Sequence, residues 1–396
     1  MKAVLEKIDL NNLDKSTWES FRFEEITNRV SETVDPNTTD LITYVGLEHI
    51  DAENIHIKRF GTPDDVSGGK LKCYPGDVIF GKRRAYQRKA AIVDFEGICS
   101  AHAFVFRANP KVIDPKLFPF FLHSDQFMHR AVDISVGGLS PTINWGDLKG
   151  QEFLLPPKAE QARLAELLWA MDEVIEKEKE VLAKLKISYQ VEIEKSVPKN
   201  NPDFFYLKEI SKVRKGVTYK SEDYSNVTDG LPLLNLKSIE IGGGFNEKGI
   251  KYYNGKYKQE HLVKNDDLVI ACTDITREGN VVGFPLHPSV YQDKVMLFTM
   301  DLLALGITSD KLIRDYLYYV LKSKWVHWRL FANSPGTTVL HLDTNGLYKI
   351  KIPKFGIKEQ NKIVEKLKKF ESSISICQYN IQSSQSLQKS LINQIF

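Results

Sequence analysis

A short basic segment is the part of this sequence best suited to binding a charged ligand. Between Val78 and Val93 there are five basic residues and no acidic residue. The candidate binding residues in this segment are Lys82, Arg83, Arg84, Tyr86, Gln87, Arg88 and Lys89. Arginine can donate two parallel hydrogen bonds to guanine, glutamine can do the same for adenine, and surplus positive charge neutralises phosphates. The segment therefore predicts a surface for double-stranded DNA, although a solvated basic turn without a ligand would have the same composition.

A second segment occupies the equivalent place further along the chain and has different chemistry. Its candidate residues are Thr273, Asp274, Thr276, Arg277 and Asn280. Aspartate can accept a hydrogen bond from cytosine, asparagine can pair with adenine, and threonine can contact the thymine methyl group. Two glycine-containing loops are weaker candidates for the same surfaces, and they contain Ser140, Thr142, Thr337 and Thr338. The sequence thus predicts two surfaces with different base preferences.

A catalytic site is not predicted, and neither is a metal or cofactor site on this chain. The sequence contains no phosphate-binding GxxxxGK[ST] motif and no CxxC pair. His123 and His129 are six positions apart, which is not the spacing of a helical zinc pair. The run from Asn201 to Phe204 shares only part of the Asn-Pro-Pro-Tyr motif of amino-methyltransferases, and no glycine-rich cofactor motif accompanies it.

The composition is that of a globular protein. A chain of 396 residues is long enough for two or three domains. Its apolar runs fall short of the roughly 20 residues that a membrane span needs, and its first residues lack the apolar core of a signal peptide. The four cysteines are widely spaced, as is usual in a reducing compartment. These features predict a cytoplasmic location, and the net charge of +3 permits a nucleic-acid partner.

The elements that would position these segments occur twice along the chain. Each half contains, in the same order, a half-buried strand, a turn with a buried strand, an apolar strand and a short helix. The matched ranges are 44–50 with 233–239, 75–81 with 265–271, 103–108 with 295–300, and 118–124 with 317–323. This order predicts two similar mixed α/β domains.

A long helix follows each domain. Residues 159–195 contain no glycine or proline, and apolar residues recur there with the spacing of a coiled-coil seam, broken only at Glu178. Adding 199 to these positions gives a second seam near the C-terminus. The seam residues are Leu164, Leu168, Met171, Ile175, Leu182 and Leu185 in the first helix and Ile363, Leu367, Phe370, Ile374 and Ile381 in the second. The match predicts an antiparallel intramolecular pair, with two unrelated surface helices as the alternative.

The duplicated order resembles the specificity subunits of type I restriction-modification systems. The resemblance covers nearly the whole chain and depends on LPPKAEQARLAELL, IPKFGIKEQNKIVEKL and the repeated PGDVIFG and NDDLVIA segments. It implies two target recognition domains separated by two long antiparallel helices, in a pseudo-twofold internal repeat of the α+β or mixed α/β class. The implied segments are 1–157 for the N-terminal segment and first domain, 158–202 for the central helix and turn, 203–354 for the second domain, and 355–396 for the distal helix.

The resemblance also implies a function. Each domain would recognise one half of a bipartite DNA site, and the helices would set the gap. The chain itself would be non-catalytic. It would dock two modification subunits, which use S-adenosylmethionine, and restriction subunits, which use ATP and Mg²⁺. Two alternatives remain open: a stand-alone DNA methyltransferase or nuclease, and a tandem-repeat scaffold that binds only proteins.

Overall fold

A computed structural model of the protein describes residues 15–396. The first residues of the predicted segment 1–157, including those tested for a signal peptide, lie outside the described residues. The chain forms two compact units. Unit 1 comprises the described residues up to Glu180 together with Gln378–Phe396, and unit 2 comprises Val181–Cys377. Both boundaries fall inside long helices, so each unit holds one globular part and one segment of each long helix.

Unit 1 is built on two four-stranded sheets and a closing strand pair. Its elements in chain order are β1 (Glu19–Arg22), α1 (Phe23–Ile26), β2 (Thr27–Val30), β3 (Thr33–Val34), β4 (Tyr44–Val45), β5 (Lys70–Cys73), β6 (Val78–Gly81), β7 (Ala90–Ile92), β8 (Gly97–Cys99), β9 (Ala103–Ala108), α2 (Phe118–His123), α3 (Asp125–Asp133), α4 (Trp145–Lys149), β10 (Glu152–Leu155) and the first part of α5 (Lys158–Ser196). The strand orders are β2-β9-β6-β7, β3-β5-β8-β4 and β1-β10. In the first sheet Ile79 of β6 lies opposite Val105 of β9 in antiparallel register.

An aromatic core fills unit 1. Phe23 packs against Phe106 and Phe127 with ring centroids 5.1 and 5.2 Å apart, and all three rings are buried. The same cluster includes Leu164 on α5 and Ile395 from the C-terminal helix. The apolar face of each helix segment is therefore covered by the domain, which explains why these positions are apolar in the sequence.

Unit 2 repeats the order of elements. They are β11 (Phe204–Tyr206), α6 (Leu207–Ile210), β12 (Ser211–Lys215), β13 (Tyr224–Ser225), β14 (Leu231–Leu234), β15 (Lys251–Tyr253), β16 (Asp267–Ala271), β17 (Thr273–Asp274), β18 (Leu297–Phe298), β19 (Leu302–Ile307), α7 (Arg314–Lys322), α8 (Lys324–Ala332), β20 (Leu340–His341), α9 (Thr344–Tyr348), β21 (Lys351–Pro353) and the part of α10 (Ile357–Ile395) up to Cys377. The strand orders are β12-β19-β16, β13-β15-β14-β18, β11-β21 and β17-β20. The predicted fold class, two similar mixed α/β domains with two long antiparallel helices, is confirmed.

The two units differ in one small sheet, and the central sheet of unit 1 has a fourth strand, β7. In unit 1 the parallel pair β4 and β8 joins the sheet through β8, which pairs with β5. In unit 2 the parallel pair β14 and β18 joins through β14, which pairs with β15. The central sheets share their β2-β9-β6 and β12-β19-β16 order, so the variation lies away from the strands that precede the candidate loops.

The long helices are antiparallel within each unit. In unit 1 the Gln388 side chain donates to the Leu168 carbonyl, and Ser384 donates to Glu178. In unit 2 Lys366 pairs with Glu192 at 2.6 Å. Every predicted seam residue is buried or half-buried. Glu178, the predicted break in the seam, is accommodated because the facing position, 384, holds a serine whose hydroxyl it accepts at 3.2 Å.

A buried glutamine fastens the start of each long helix. Gln161 donates to the carbonyls of Val112 and Pro156, and it accepts from the amide of Asp114 at 2.6 Å. Gln360 makes the same pattern of bonds to the backbone of Lys311, Ile313 and Phe355. The repeated Glu-Gln dipeptide is therefore a structural signature, because its glutamine satisfies backbone groups that the domain would otherwise bury unpaired.

Among residues 15–396, no helix combines the length and apolar character that crossing a bilayer requires.

Candidate nucleic-acid interface

The basic segment forms a loop, residues 82–89, between β6 and β7. We call it the basic loop. Backbone bonds hold it at both ends and in the middle: Gly81 donates to Lys89, Arg84 donates to Pro141, and Ile143 donates to Lys82, at 2.9, 2.7 and 2.9 Å. The path of the loop is therefore set by its main chain and by the neighbouring segment 140–143.

Two arginines of the basic loop have left-handed backbone conformations. Arg84 has φ of 56° and Arg88 has φ of 52°, and they flank a single 3-10 turn at Ala85–Gln87. Positive φ is uncommon for residues other than glycine. The turn is kept because Arg88 donates its amide to the Ala85 carbonyl at 2.8 Å while the loop ends are tied to the sheet.

The structure brings four predicted site residues together. Arg83 and Arg84 are exposed, and both donate from their guanidinium groups to the Ser140 hydroxyl, at distances between 3.0 and 3.3 Å. Thr142 forms a backbone bridge with Arg83. Tyr86 is 54% exposed on the same loop. The weaker candidate loop thus lies beside the basic loop, and DNA contact by these residues stays a prediction.

Arg29 is a further basic residue at this surface that the sequence analysis missed. Its guanidinium carbon lies 5.4 Å from the centroid of the Phe104 ring, and Lys82 Nζ lies 5.2 Å from the same ring. Burial lowers the pKa of Lys82, and the positive charge of Arg29 lowers it further. Arg29 belongs to β2, which is far from the loop in sequence, so only the sheet pairing brings it here.

The structure does not support DNA contact by the last two residues of the basic loop. The Arg88 side chain is 17% exposed and lies between two carboxylates, 2.9 Å from Glu53 and 2.7 Å from Asp125. Lys89 donates to the Leu47 carbonyl at 2.6 Å. Their positive charge is therefore engaged inside the domain. Gln87 is half-buried and stays a candidate.

The second candidate segment also forms a loop, residues 273–282, which we call the mixed loop. Asp274 is buried at its start and accepts four hydrogen bonds from within the loop, from Thr276 N, Thr276 Oγ1, Val281 N and Val282 N, at 2.6 to 3.0 Å. Burial alone would raise the pKa of Asp274, but these bonds hold it below its usual value. Asp274 therefore organises the loop, and its contact with cytosine stays a prediction.

The other members of the mixed loop divide into buried and exposed residues. Thr273 is buried and donates to Asp301 at 3.3 Å, so its predicted base contact is not supported either. Arg277 is exposed, whereas Thr276 and Asn280 are half-buried. Because β17 pairs with β20, the segment that contains the exposed residues Thr337 and Thr338 lies next to this loop.

Helix α8 supports the mixed loop and carries an exposed tryptophan. His327 Nε2 lies 3.1 Å from the Gly279 carbonyl, and a Cβ at Gly279, which has φ of 67°, would collide with the Phe331 ring. Trp328 is 72% exposed on this helix, and Ile275 in the loop is 75% exposed. The sequence analysis missed both residues because it searched for polar candidates.

Within the range 15–396, no three or more histidine, cysteine, aspartate or glutamate side chains are grouped so that they could hold a metal ion.

Comparison with known proteins shows that the chain is similar to DNA specificity proteins. Residues 15–186 match the family model of the type I restriction modification DNA specificity domain. The type I restriction enzyme EcoDI specificity subunit of Escherichia coli is 28% identical over 168 residues, which cover 41% of this chain and 37% of that protein. The MjaVIII specificity subunit of Methanocaldococcus jannaschii is 25% identical over 264 residues, which cover 60% of each protein. The matched segments thus span less than two thirds of both relatives.

A solved structure shares the fold over nearly the full length. It comes from a study of complex assembly and conformational transition of the type I R-M system. The superposition covers 96% of this chain and 97% of that chain, with a TM-score of 0.62 and 20% sequence identity. At this identity the likeness concerns the fold.

Proposed function

This chain belongs to the family of type I restriction-modification specificity subunits, and we propose that it is the DNA sequence-recognition subunit of such a complex. The observation that carries the proposal is that the arginines of the basic loop differ in their exposure and in their partners. Arg83 and Arg84 are exposed and bond to the neutral hydroxyl of Ser140, whereas Arg88 is paired with carboxylates. The first two therefore present uncompensated positive charge that can meet guanine or phosphate.

Each unit would recognise one half of a bipartite, asymmetric site. Two similar frames with different loops support this division, because the basic loop presents arginines while the mixed loop presents Arg277 beside threonines. We assign target recognition domains to residues 1–157 and 203–354. Two uninterrupted helices of 39 residues each would set the gap between the half-sites.

The chemistry of the complex would belong to its partners. We propose that two modification subunits supply S-adenosylmethionine-dependent adenine methylation, and that restriction subunits supply ATP- and Mg²⁺-dependent cleavage in the cytoplasm. Exposed charged residues on α5, among them Lys177, Glu180 and Lys184, are available for docking. Glu176 is less available than its sequence suggested, because it is half-buried and pairs with Lys58 and Lys179.

Methylation mapping tests the proposal. The chain would be co-expressed with the modification subunits of its own system, and methylated adenines in host DNA would be mapped by long-read sequencing. We expect one bipartite motif with a fixed gap, which disappears when this chain is omitted. Methyl transfer by the isolated chain would instead favour a stand-alone enzyme. Absence of sequence-selective, salt-sensitive DNA binding by the assembled complex would favour a protein scaffold.

A further inference from the structure

We propose that Arg88 is a positioning residue, which orients the basic loop by fastening it to both long helices of unit 1. This inference rests on the proposed function, because orientation matters only if the loop meets DNA. It separates Arg88 from the neighbouring arginines, which the sequence cannot distinguish. The argument depends on three sets of contacts, all of them within unit 1.

The first set joins Arg88 to the C-terminal helix through Glu53. Glu53 Oε1 lies 2.9 Å from Arg88 Nε, in an ion pair that lacks hydrogen-bond geometry, and 2.6 Å from Lys389 Nζ on α10. The Glu53 amide also donates to the Arg88 carbonyl at 3.0 Å. Glu53 itself has a positive φ of 54°, so its backbone adopts an uncommon conformation to make these contacts.

The second set reaches the same helix by another route. Asp125 Oδ1 lies 2.7 Å from Arg88 Nη2, and Asp125 Oδ2 accepts from the Asn393 side chain at 2.7 Å. Asn393 in turn accepts from the Asp125 amide at 2.8 Å, which makes the pair reciprocal. Arg88 Nη2 also donates to the His123 carbonyl at 2.9 Å, at the end of α2. The guanidinium is therefore held by three groups from two segments, Glu53 and the stretch 123–125.

The third set connects the segment that contains Glu53 to α5. His56 Nε2 lies 2.6 Å from Asp172 on this helix, and Lys58 pairs with Glu176 one turn further along. Glu53, His56 and Lys58 belong to one short stretch of chain, so the partner of Arg88 is itself fixed to α5. The basic loop is thereby connected to both helix segments through charged groups.

A positioning role and a DNA-contacting role predict different behaviour. The charge of Arg88 is already compensated by two carboxylates, so its removal should not change the number of counterions released on binding. Its removal should instead release the C-terminal end of the basic loop. The side chains of Arg83 and Arg84 would then lose their fixed orientation. Loss of a true phosphate contact would lower the slope of log K against log salt by about 0.9.

The experiment compares Arg88→Ala with Arg83→Ala in the full chain assembled with its modification subunits. DNA binding would be measured as a function of salt on a duplex that carries the methylated site, and amide hydrogen exchange would be followed in residues 82–89. For Arg88→Ala we expect faster exchange in the loop, about a tenfold loss of discrimination at one half-site, equivalent to about 1.4 kcal/mol, and an unchanged salt slope. Lys111→Ala, at an exposed turn, is the matched control for loss of one charge.

Two further variants keep the test decisive. Glu53→Gln and Asp125→Asn preserve shape, so they test the same contacts if Arg88→Ala does not fold. Each should accelerate exchange in the loop, and Glu53→Gln combined with Arg88→Ala should cost less than the sum of the single effects. A lower salt slope with unchanged exchange would overturn the proposal. If the parent complex binds DNA without sequence preference, the proposed function fails, while hydrogen exchange still decides the role of Arg88.

Discussion

The two candidate loops occupy equivalent places in similar units, yet they are held in opposite ways. The basic loop is held from outside, because Arg88 pairs with Glu53 and Asp125 beyond the loop. The mixed loop rests on α8 through His327, but its hydrogen bonds to a carboxylate come from inside, because Asp274 accepts them from residues of the same loop. The shared strands therefore determine where each loop begins, whereas the contacts that hold the loop differ between the units.

The same freedom is visible in the frame itself. A buried aspartate lies at or just before the start of the strand that leads into each candidate loop, Asp77 before β6 and Asp267 at the start of β16. In unit 1 its partner is Arg107 from β9, at 2.7 Å, whereas in unit 2 it is Arg214 from β12. Two copies have thus retained the buried acid while taking the compensating charge from different strands.

An acid on a long helix provides the sharpest contrast between the units. Asp172 on α5 pairs with His56, whereas Glu371 on α10, related to it by the same offset of 199, accepts from the hydroxyls of Tyr189 and Tyr319 at 2.6 and 2.8 Å. Burial would raise the pKa of Glu371, but His287, the two tyrosine hydroxyls and the nearby Lys322 together hold it at about 2. Substitution of Glu371 would therefore remove more interactions than substitution of Asp172.

Replacing that second acid should have the largest effect. Glu371→Ala would leave tyrosine hydroxyls and Lys322 without their common partner, and we expect a loss of about 3–5 kcal/mol in the free energy of unfolding. Asp172→Ala should reduce the free energy of unfolding clearly less, because its partner, His56, is partly exposed and can form hydrogen bonds with water. Denaturant unfolding measures both, with the exposed Glu365→Ala as control. Equal losses at positions 172 and 371 would contradict the contrast.

Removing the internal support of the mixed loop should come next. Asp274→Ala leaves backbone donors of the loop without an acceptor, and we expect a loss of about 2–3 kcal/mol in stability. Recognition of the second half-site should fall while that of the first is kept, as methylation of half-site variants would show. Asp274→Asn retains one acceptor oxygen, so its stability should lie between that of the parent protein and that of Asp274→Ala. A first half-site affected equally would argue against separate loops.

Substitution at the exposed arginines should affect specificity more than stability. Arg83→Ala should reduce discrimination at the first half-site by about 1–3 kcal/mol, the value of one good bidentate contact. The temperature of thermal unfolding should be nearly unchanged, because the exposed side chain of Arg83 donates to the Ser140 hydroxyl at the protein surface. Methylation rates on substituted half-sites provide the measurement, and Arg277→Ala is the matched change in the mixed loop. Loss at both half-sites would count against one loop for each half.

The smallest effect should appear in the pH dependence of stability. The hydrogen bond to Asp172 raises the pKa of His56, against the opposing effect of burial. A raised folded pKa contributes stability that is present below the unfolded value near 6.5 and is lost as pH rises through the folded value. Glu371 has the opposite sign, and its contribution is lost as pH falls from about 4.5 toward 2. In a plot of the free energy of unfolding against pH, His56→Gln should remove the fall in stability above about pH 6.5 and leave the fall at acidic pH unchanged.

The long helices and most of the repeated frame could be predicted because their signals are local and periodic. One predicted match was wrong: residues 103–108 correspond to β19 (Leu302–Ile307) and not to 295–300, because β9 and β19 each lie between the two outer strands of the shared order. The helix predicted from residue 159 to 195 extends from Lys158 to Ser196, and every seam residue is covered. The roles within the basic loop could not be predicted. Arg83 and Arg88 look alike in sequence, and what separates them is the distant Glu53 and Asp125. Arg29 was missed for the same reason, since a strand pairing places it beside Lys82.

Apart from the ion pairs of Arg88, the basic loop is fixed by main-chain bonds at Gly81, Arg84 and Ile143. Amide and carbonyl groups are the same in almost every amino acid, so these anchors do not depend on the side chains at positions 83 and 86. New side chains could be installed there without rebuilding the support. Retargeting by design should therefore succeed more readily in this half of the molecule than at the mixed loop, where a single carboxylate is indispensable.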